Sequence, residues 1–271
     1  MSLGSTQSRE VVIYLITMGN NHILKVRIIV GSAIFIIFLS LYLSTLAPTL
    51  SWGYKGIAVD GGELLAAANT LGIPHPPGYP TYTIILKIFG TIIPFGDFAY
   101  RGNLLSALLA SLSVLTVYCL ILRFCHLLRP EAPLWIRVSS SVFGAAVFGV
   151  SPIFWSQAVI TEVYTLNAFF CSSLLLIASY LVLPQHFESK SGHTIKIFII
   201  LFGLLIGVGL GNHLTLLAIA APMLFWVLIS NGWRVAFSPW FILAFIIGVS
   251  VYAYIPIRAA QNPPVNWGDA S

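Results

Sequence analysis

The sequence predicts an all-α membrane protein, a multi-pass helical bundle of about seven transmembrane helices with interfacial helices in its first outer loop. Three observations predict it. The chain is 58% hydrophobic and only 8% charged, with a mean hydropathy of +0.93, whereas a soluble globular protein is about a quarter charged. Apolar runs close to the roughly 20 residues that cross a bilayer recur along its length. The Lys and Arg residues gather in alternate loops, as cytoplasmic retention of positive charge requires.

In chain order, residues 1–27 form a basic cytoplasmic segment. The first span, about 28–48, acts as an uncleaved anchor, because residues 11–18 are apolar but short and lack a small-residue cleavage site. An outer loop, about 49–101, follows. Further spans lie at about 102–123, 138–154, 164–183, 197–212, 213–230 and 236–256, with a tight turn at Asn212-His213 joining two of them. The apolar run at about 79–94 sets the orientation. Counting it as a span would move the basic Arg123–Arg137 loop to the outside, so it reads as an interfacial helix with Lys87 inside it and Pro80 and Pro94 at its ends. The transmembrane domain is then 28–256, with the N-terminus inside. Residues 257–271 are an outer C-terminal segment. Asp60, Glu63, Asp97, Glu162 and Asp269 all fall on or near the outer face.

The formal charge of +5 fits attraction to anionic lipid on the cytoplasmic side. It does not point to nucleic acid, since the basic residues are scattered and no binding module accompanies them. Cys119, Cys125 and Cys171 have no disulfide or metal-ligand spacing, and no His or Cys cluster suggests a structural metal.

The polar island in the outer loop is Asp60-Gly61-Gly62-Glu63, followed by His75-Pro76-Pro77-Gly78-Tyr79-Pro80. Ionisable residues that persist at a membrane boundary are candidates for function. Asp60 sits at a predicted helix start, with Glu63 three residues on and on nearly the same face. Two compatible readings stand for this pair, a helix cap and a reactive carboxylate pair. Gly72-Ile73-Pro74 stops the helix, and the prolines stiffen the segment carrying His75 and Tyr79. That segment either seats the interfacial helix or holds His75 and Tyr79 against the carboxylates. Arg101 either snorkels to headgroups or pairs with a phosphate. Glu162 reads equally as a surface or helix-start acid and as a ligand for hydroxyls. His213 reads first as a structural cap of its turn, and Trp155 and Trp267 as interfacial anchors.

These residues carry a resemblance. Asp60-Gly-Gly-Glu63, His75-Pro-Pro and Ala99-Tyr-Arg101-Gly-Asn-Leu-Leu-Ser-Ala-Leu resemble, in that order, the motifs of GT-C glycosyltransferases. Within them the chain is most similar to the transmembrane O-mannosyltransferase-like group, once filed as domain of unknown function 2723. The run Phe154–Asn167 is similar to that group's second outer motif, and Gly209-Leu210-Gly211-Asn212-His213 to its third. Tyr254-Ile255-Pro256-Ile257-Arg258, running on to Asp269, is similar to its fourth. The resemblance spans about 30–271 and implies that the segment 257–271 is truncated relative to the family.

It implies an inverting transfer of a sugar, mannose by family comparison, from a polyprenyl-phosphate donor to a protein or glycan hydroxyl on the outer or lumenal face. The membrane would be a bacterial inner membrane or the endoplasmic reticulum. Membrane lipid and the lipid-linked donor are then its partners, and no cofactor or metal is expected. Asp60 would be the base with Glu63 beside it, and Arg101, Arg258 and His75 would hold the donor phosphate. Tyr79, Glu162, Tyr164, Asn167 and His213 would bind substrate. Rival readings are a non-catalytic relative and a transporter of lipid-linked sugar. Against a transporter, the polar residues gather at one face and no inverted repeat is visible.

Overall fold

The computed structural model describes residues 4–51, 60–182, 192–231, 235 and 237–268. Helices α1 (Gly4–Ser44), α4 (Phe98–Leu128), α7 (Tyr164–Val182), α8 (Gly192–Leu210) and the segment Pro239–Ala259 each contain a stretch long and apolar enough to cross a bilayer. That last segment comprises α10 (Pro239–Val249), a 3₁₀ stretch at Ser250–Ala253 and α11 (Tyr254–Ala259). No strand occurs among the described residues. The all-α membrane class expected from composition is what the chain adopts.

Two of the expected spans take a different form. The one expected at 138–154 is a pair, α5 (Leu134–Gly149) and α6 (Pro152–Ala158), bent by 69°. Pro152 lacks an amide hydrogen and pushes Ser151 into an extended conformation (ψ 127°), so α5 must stop before it and a new helix starts on the proline. The one expected at 213–230 is the short apolar stretch Leu214–Ser230, which contains α9 (Leu217–Asn231) and an internal Pro222. Five crossing-length helices therefore stand among the described residues, or six with the bent pair counted as one. The run expected at 79–94 forms α3 (Pro80–Ile92), which is not of crossing length.

Helix α4 is the hub, packing against α1, α5 and α7, and α7 carries α8 and α9 in turn. Both are mostly buried, while α1 and α10 leave apolar residues such as Ile28, Ile36, Ile246 and Ile247 exposed. An apolar exterior of this kind is what lipid requires. Helices α8 and α10 meet backbone to backbone. A Cβ on Gly207 would lie 2.6 Å from the Phe245 carbonyl and 2.8 Å from the Gly248 Cα, and one on Gly203 would lie 2.7 Å from the Phe241 carbonyl. Small residues four apart allow this close crossing. Gly207→Ala is accordingly expected to force the two helices apart and to destabilise the protein by roughly 1–3 kcal/mol. Thermal unfolding in detergent checks this, and an unchanged midpoint would contradict the close crossing.

The short helix α2 (Asp60–Thr70) lies with α3 against α4. It ends where Leu71 turns left-handed (φ 53°) and the Gly72 amide reaches back to the Ala67 carbonyl at 2.7 Å, the usual way to close a helix C-terminus. The α2–α3 link is then pinned by the far end of the chain. The Ile73 amide donates to the Val265 carbonyl (2.7 Å), the Trp267 amide to the Ile73 carbonyl (3.1 Å), and the Tyr254 hydroxyl to the Gly72 carbonyl (2.8 Å).

Candidate active site

The first turn of α2 and the link that follows it bring three ionisable side chains together. Glu63 grips His75 twice, one carboxylate oxygen accepting from the His75 backbone amide at 2.7 Å and the other from Nδ1 at 2.8 Å. A carboxylate only accepts, so Nδ1 carries the proton and Nε2 faces the other way. Nε2 lies 3.1 Å from the Tyr79 hydroxyl and 3.9 Å from Asp60 Oδ2. The local chain is built for this arrangement. The Gly78 amide closes a turn onto the His75 carbonyl at 2.9 Å, and Gly78 has φ 89°, a conformation natural to glycine. Tyr79 follows at φ 38°, ψ 48°, a left-handed position that costs a non-glycine residue about 1–2 kcal/mol. Its burial in the core offsets that cost.

Glu162 arrives from the link between α6 and α7. Glycines let this link sit close. A Cβ on Gly61 would come within 2.9 Å of the Thr161 carbonyl, and Gly102 of α4 lies against Thr161 and Leu65. Asn103 fixes the arrangement, since it accepts from the Thr161 hydroxyl (2.8 Å) and donates to the carbonyls of Ala47 (2.8 Å) and Thr49 (3.0 Å). One buried amide thus ties the exit of α1, the start of α4 and the Glu162 link together. Glu162 is only 3% exposed, and its Oε2 has no hydrogen-bond partner among the described residues. Burial, and then the charge of Asp60, push its carboxyl up to about 7, because an unpaired buried charge is costly.

Asp60, Glu162, Tyr164 and Gln157 line one cavity of about 610 Å³, whose remaining wall is largely apolar. Aromatic rings close its flank. His213 lies between Tyr79 and Tyr164, with ring centroids 5.8 Å and 5.6 Å away, and Tyr79 meets His75 edge-on at 5.1 Å. The Thr215 amide donates to His213 Nδ1 at 3.2 Å, so that nitrogen is unprotonated and Nε2 carries the hydrogen. Burial lowers the His213 pKa as well, which keeps the ring neutral. Asn167 joins the edge of the group by donating to the Thr215 hydroxyl at 3.2 Å. Burial, followed by the charge of Asp60, raises the Tyr79 phenol to about 12, so it stays a hydrogen-bond donor.

Asp60, Glu63, His75, Tyr79, Glu162, Tyr164 and His213, singled out from the sequence, are therefore neighbours. The two arginines are not part of this group. Arg101 donates to the carbonyls of Gly90 (2.7 Å), Gly96 (3.0 Å) and Phe95 (3.2 Å), which satisfies the end of α3 and the turn into α4. Arg258 donates to the carbonyls of Leu71 (2.6 Å) and Thr70 (3.2 Å) at the end of α2 and to Gln261. Each guanidinium caps a helix C-terminus, where positive charge is favoured. Arg101→Ala is expected to lower the unfolding temperature by releasing three carbonyls, with a loss of about 1–3 kcal/mol. Unchanged unfolding alongside impaired donor binding would instead restore a phosphate-facing role.

Asp97, another of the outer-loop acids, caps α4 by accepting from the Tyr100 amide at 2.6 Å. The Thr49 hydroxyl, followed by that amide, holds its carboxyl below the usual range. Trp155 donates from its indole to the Thr45 hydroxyl at 3.0 Å, and Trp267 is exposed. Asp269 lies outside the described residues. Sequence reasoning missed Gln157 on the cavity wall, although a lone amide in the apolar Pro152–Ala158 stretch was the signal. It also missed Ser106, whose hydroxyl takes the Glu162 amide at 3.5 Å, and the Asn103 tie.

Comparison with known proteins adds an independent line. The family described as the protein O-mannosyl-transferase TMEM260 N-terminal domain matches residues 60–236. A protein O-mannosyl-transferase tmem260 of Dictyostelium discoideum is 26% identical over 255 residues, covering 89% of this chain and 29% of that protein. A mouse protein O-mannosyl-transferase TMEM260 is 28% identical over 243 residues, covering 88% of this chain and 31% of its own length. The chain thus spans under a third of the length of these relatives. No solved structure matches it.

Proposed function

Because the chain belongs to the protein O-mannosyl-transferase TMEM260 N-terminal domain family, we propose that it is the catalytic membrane part of a glycosyltransferase. It moves a sugar, mannose by the relatives' names, from a polyprenyl-phosphate donor to an acceptor hydroxyl. The observation that carries the proposal is that Asp60 and the buried Glu162 face one cavity, with the Glu63–His75 pair set directly beside Asp60.

In this reading the acceptor O–H attacks the anomeric carbon and Asp60 takes its proton. The bond between that carbon and the phosphate oxygen breaks, and its electron pair leaves with the lipid phosphate. Asp60 suits the base role because it faces the cavity with a half-exposed side chain (45%). Glu63 fixes His75 in one orientation, and we assign that imidazole to the leaving phosphate. Glu162, Tyr164 and His213 Nε2–H supply hydroxyl-binding groups for the sugar. Arg101 and Arg258 act by positioning, since Arg258 holds the end of α2, from which the His75 segment leaves, and Arg101 holds the far end of α3, into which that segment leads.

A lipid-linked donor requires a site where its tail can remain in the bilayer, and we place this site at the outer or lumenal face on the distribution of basic residues. The test is transfer by the purified chain in nanodiscs, offered a panel of radiolabelled polyprenyl-phosphate sugars and a hydroxyl-bearing peptide. Label in the peptide from the mannosyl donor supports the reading. Donor binding without transfer or hydrolysis of any sugar would assign the chain to the non-catalytic alternative.

A further inference from the structure

A second cavity, with basic side chains on its wall, lies far from the acid cluster, and the proposed transferase chemistry does not use it. It measures about 450 Å³ and sits between α1, α4 and α7. Along α4, Ser106 is beside Glu162 whereas Arg123 lines this cavity. Seventeen residues of helix put the two about 25 Å apart. The cavity is the cationic counterpart of the acidic site, lined by Arg27, Arg123, His126 and Tyr118, with no carboxylate among the described residues of its wall.

Several observations mark it as built for a ligand. Tyr118 is 1% exposed, and its hydroxyl has no hydrogen-bond partner among the described residues. The same is true of Arg27 Nε. Buried donors left unpaired are costly, and two at one cavity point to a missing acceptor. Arg123 is held ready. Its Nε and Nη2 donate to the Ser179 hydroxyl (3.2 Å) and carbonyl (3.1 Å), and its guanidinium stacks on the Tyr180 ring at 3.8 Å. Arg137, only 9% exposed, meets His126 Nδ1 at 2.6 Å and adds a further positive charge behind the wall. The outer lip is apolar, formed by Leu24 and Ile28, which are 55% and 57% exposed. A soluble anion has no use for such a lip, whereas acyl chains do.

We propose that this cavity binds the phosphodiester headgroup of an anionic phospholipid, with its acyl chains lying along Leu24 and Ile28 of α1. Basic pockets between transmembrane helices recognise anionic headgroups in this way. Bound there, the lipid bridges α1 to the α4–α7 pair and fastens the first helix to the bundle.

The test is thermal unfolding of the purified chain in neutral detergent, titrated with phosphatidylglycerol, phosphatidylcholine or inorganic phosphate. Phosphatidylglycerol is expected to raise the midpoint saturably, and the other two are not. Arg27→Gln and Tyr118→Phe are expected to weaken that response about tenfold each while unfolding normally without added lipid. Arg129→Gln, a change at an exposed surface arginine, is expected to leave it intact. An equal response to inorganic phosphate would show a soluble-anion site and overturn the lipid assignment. An equal response to phosphatidylcholine, or an undiminished one in both Arg27→Gln and Tyr118→Phe, would overturn the site itself. None of these readouts depends on transferase activity, so the outcome stands apart from that of the transfer assay.

Discussion

Asp60→Asn is expected to lower sugar transfer by about 10²–10⁴-fold, the range lost when a general base is removed, with donor binding and folding nearly unchanged. Asparagine has the size and shape of aspartate but takes no proton at neutral pH. The fold asks little of this side chain, since its nearest ionic contact is the 3.9 Å approach to His75 and nearly half of its surface is open. Loss of turnover should therefore come without loss of stability, and transfer rates measured beside unfolding curves separate the two. Unchanged turnover would take the base role from Asp60 and leave Glu162 as the remaining carboxylate on the cavity wall.

The second large effect concerns Glu162. Its folded-state carboxyl is raised from 4.5 to about 7 by burial first and the Asp60 charge second. Below about pH 4.5 the group is protonated in both folded and unfolded chains and contributes no difference. As pH rises through the window from 4.5 to about 7 the unfolded chain releases its proton first, so stability falls. Above about 7 the deficit levels off at roughly 3 kcal/mol. Glu162→Gln carries no titrating proton, so it should match the wild type at pH 4 and exceed it by roughly that amount at pH 8. Midpoints of denaturant unfolding across this range give the comparison. A difference that is constant with pH would mean that Glu162 is not held in the uncharged form.

Much of the site could be read along the chain because much of it is local. Asp60, Glu63 and His75 occupy one short stretch, and helix spacing together with the Pro-rich segment places them near one another. Glu162 illustrates what local reading misses. Its neighbours in sequence gave it even standing as a surface acid, yet the Asn103 and Thr161 contacts bury it, and those depend on helices distant in the chain. The contacts of the arginines are hidden for a related reason. Arg101 and Arg258 were legible as charges near a polar loop, but the acceptors that occupy them are backbone carbonyls at helix ends. No side-chain pattern in the sequence advertises such acceptors. The 69° bend between α5 and α6 was within reach, since Ser151-Pro152 forbids a continuous helix there.

The clasp of Ile73 by Val265 and Trp267 also bears on biosynthesis. The segment holding His75 emerges early, yet the residues that pin it are made nearly two hundred positions later. At roughly 5–20 residues per second, this is a delay of about 10–40 s. During that interval Glu63 and His75 are present without the clasp that orders the link between them. The link between Glu63 and His75 is thus ordered only after Val265 and Trp267 have been made, later than the helices α4 and α7 that surround it. A nascent chain arrested before Val265 should consequently show fast deuterium exchange at the Ile73 amide even where α4 and α7 are already protected.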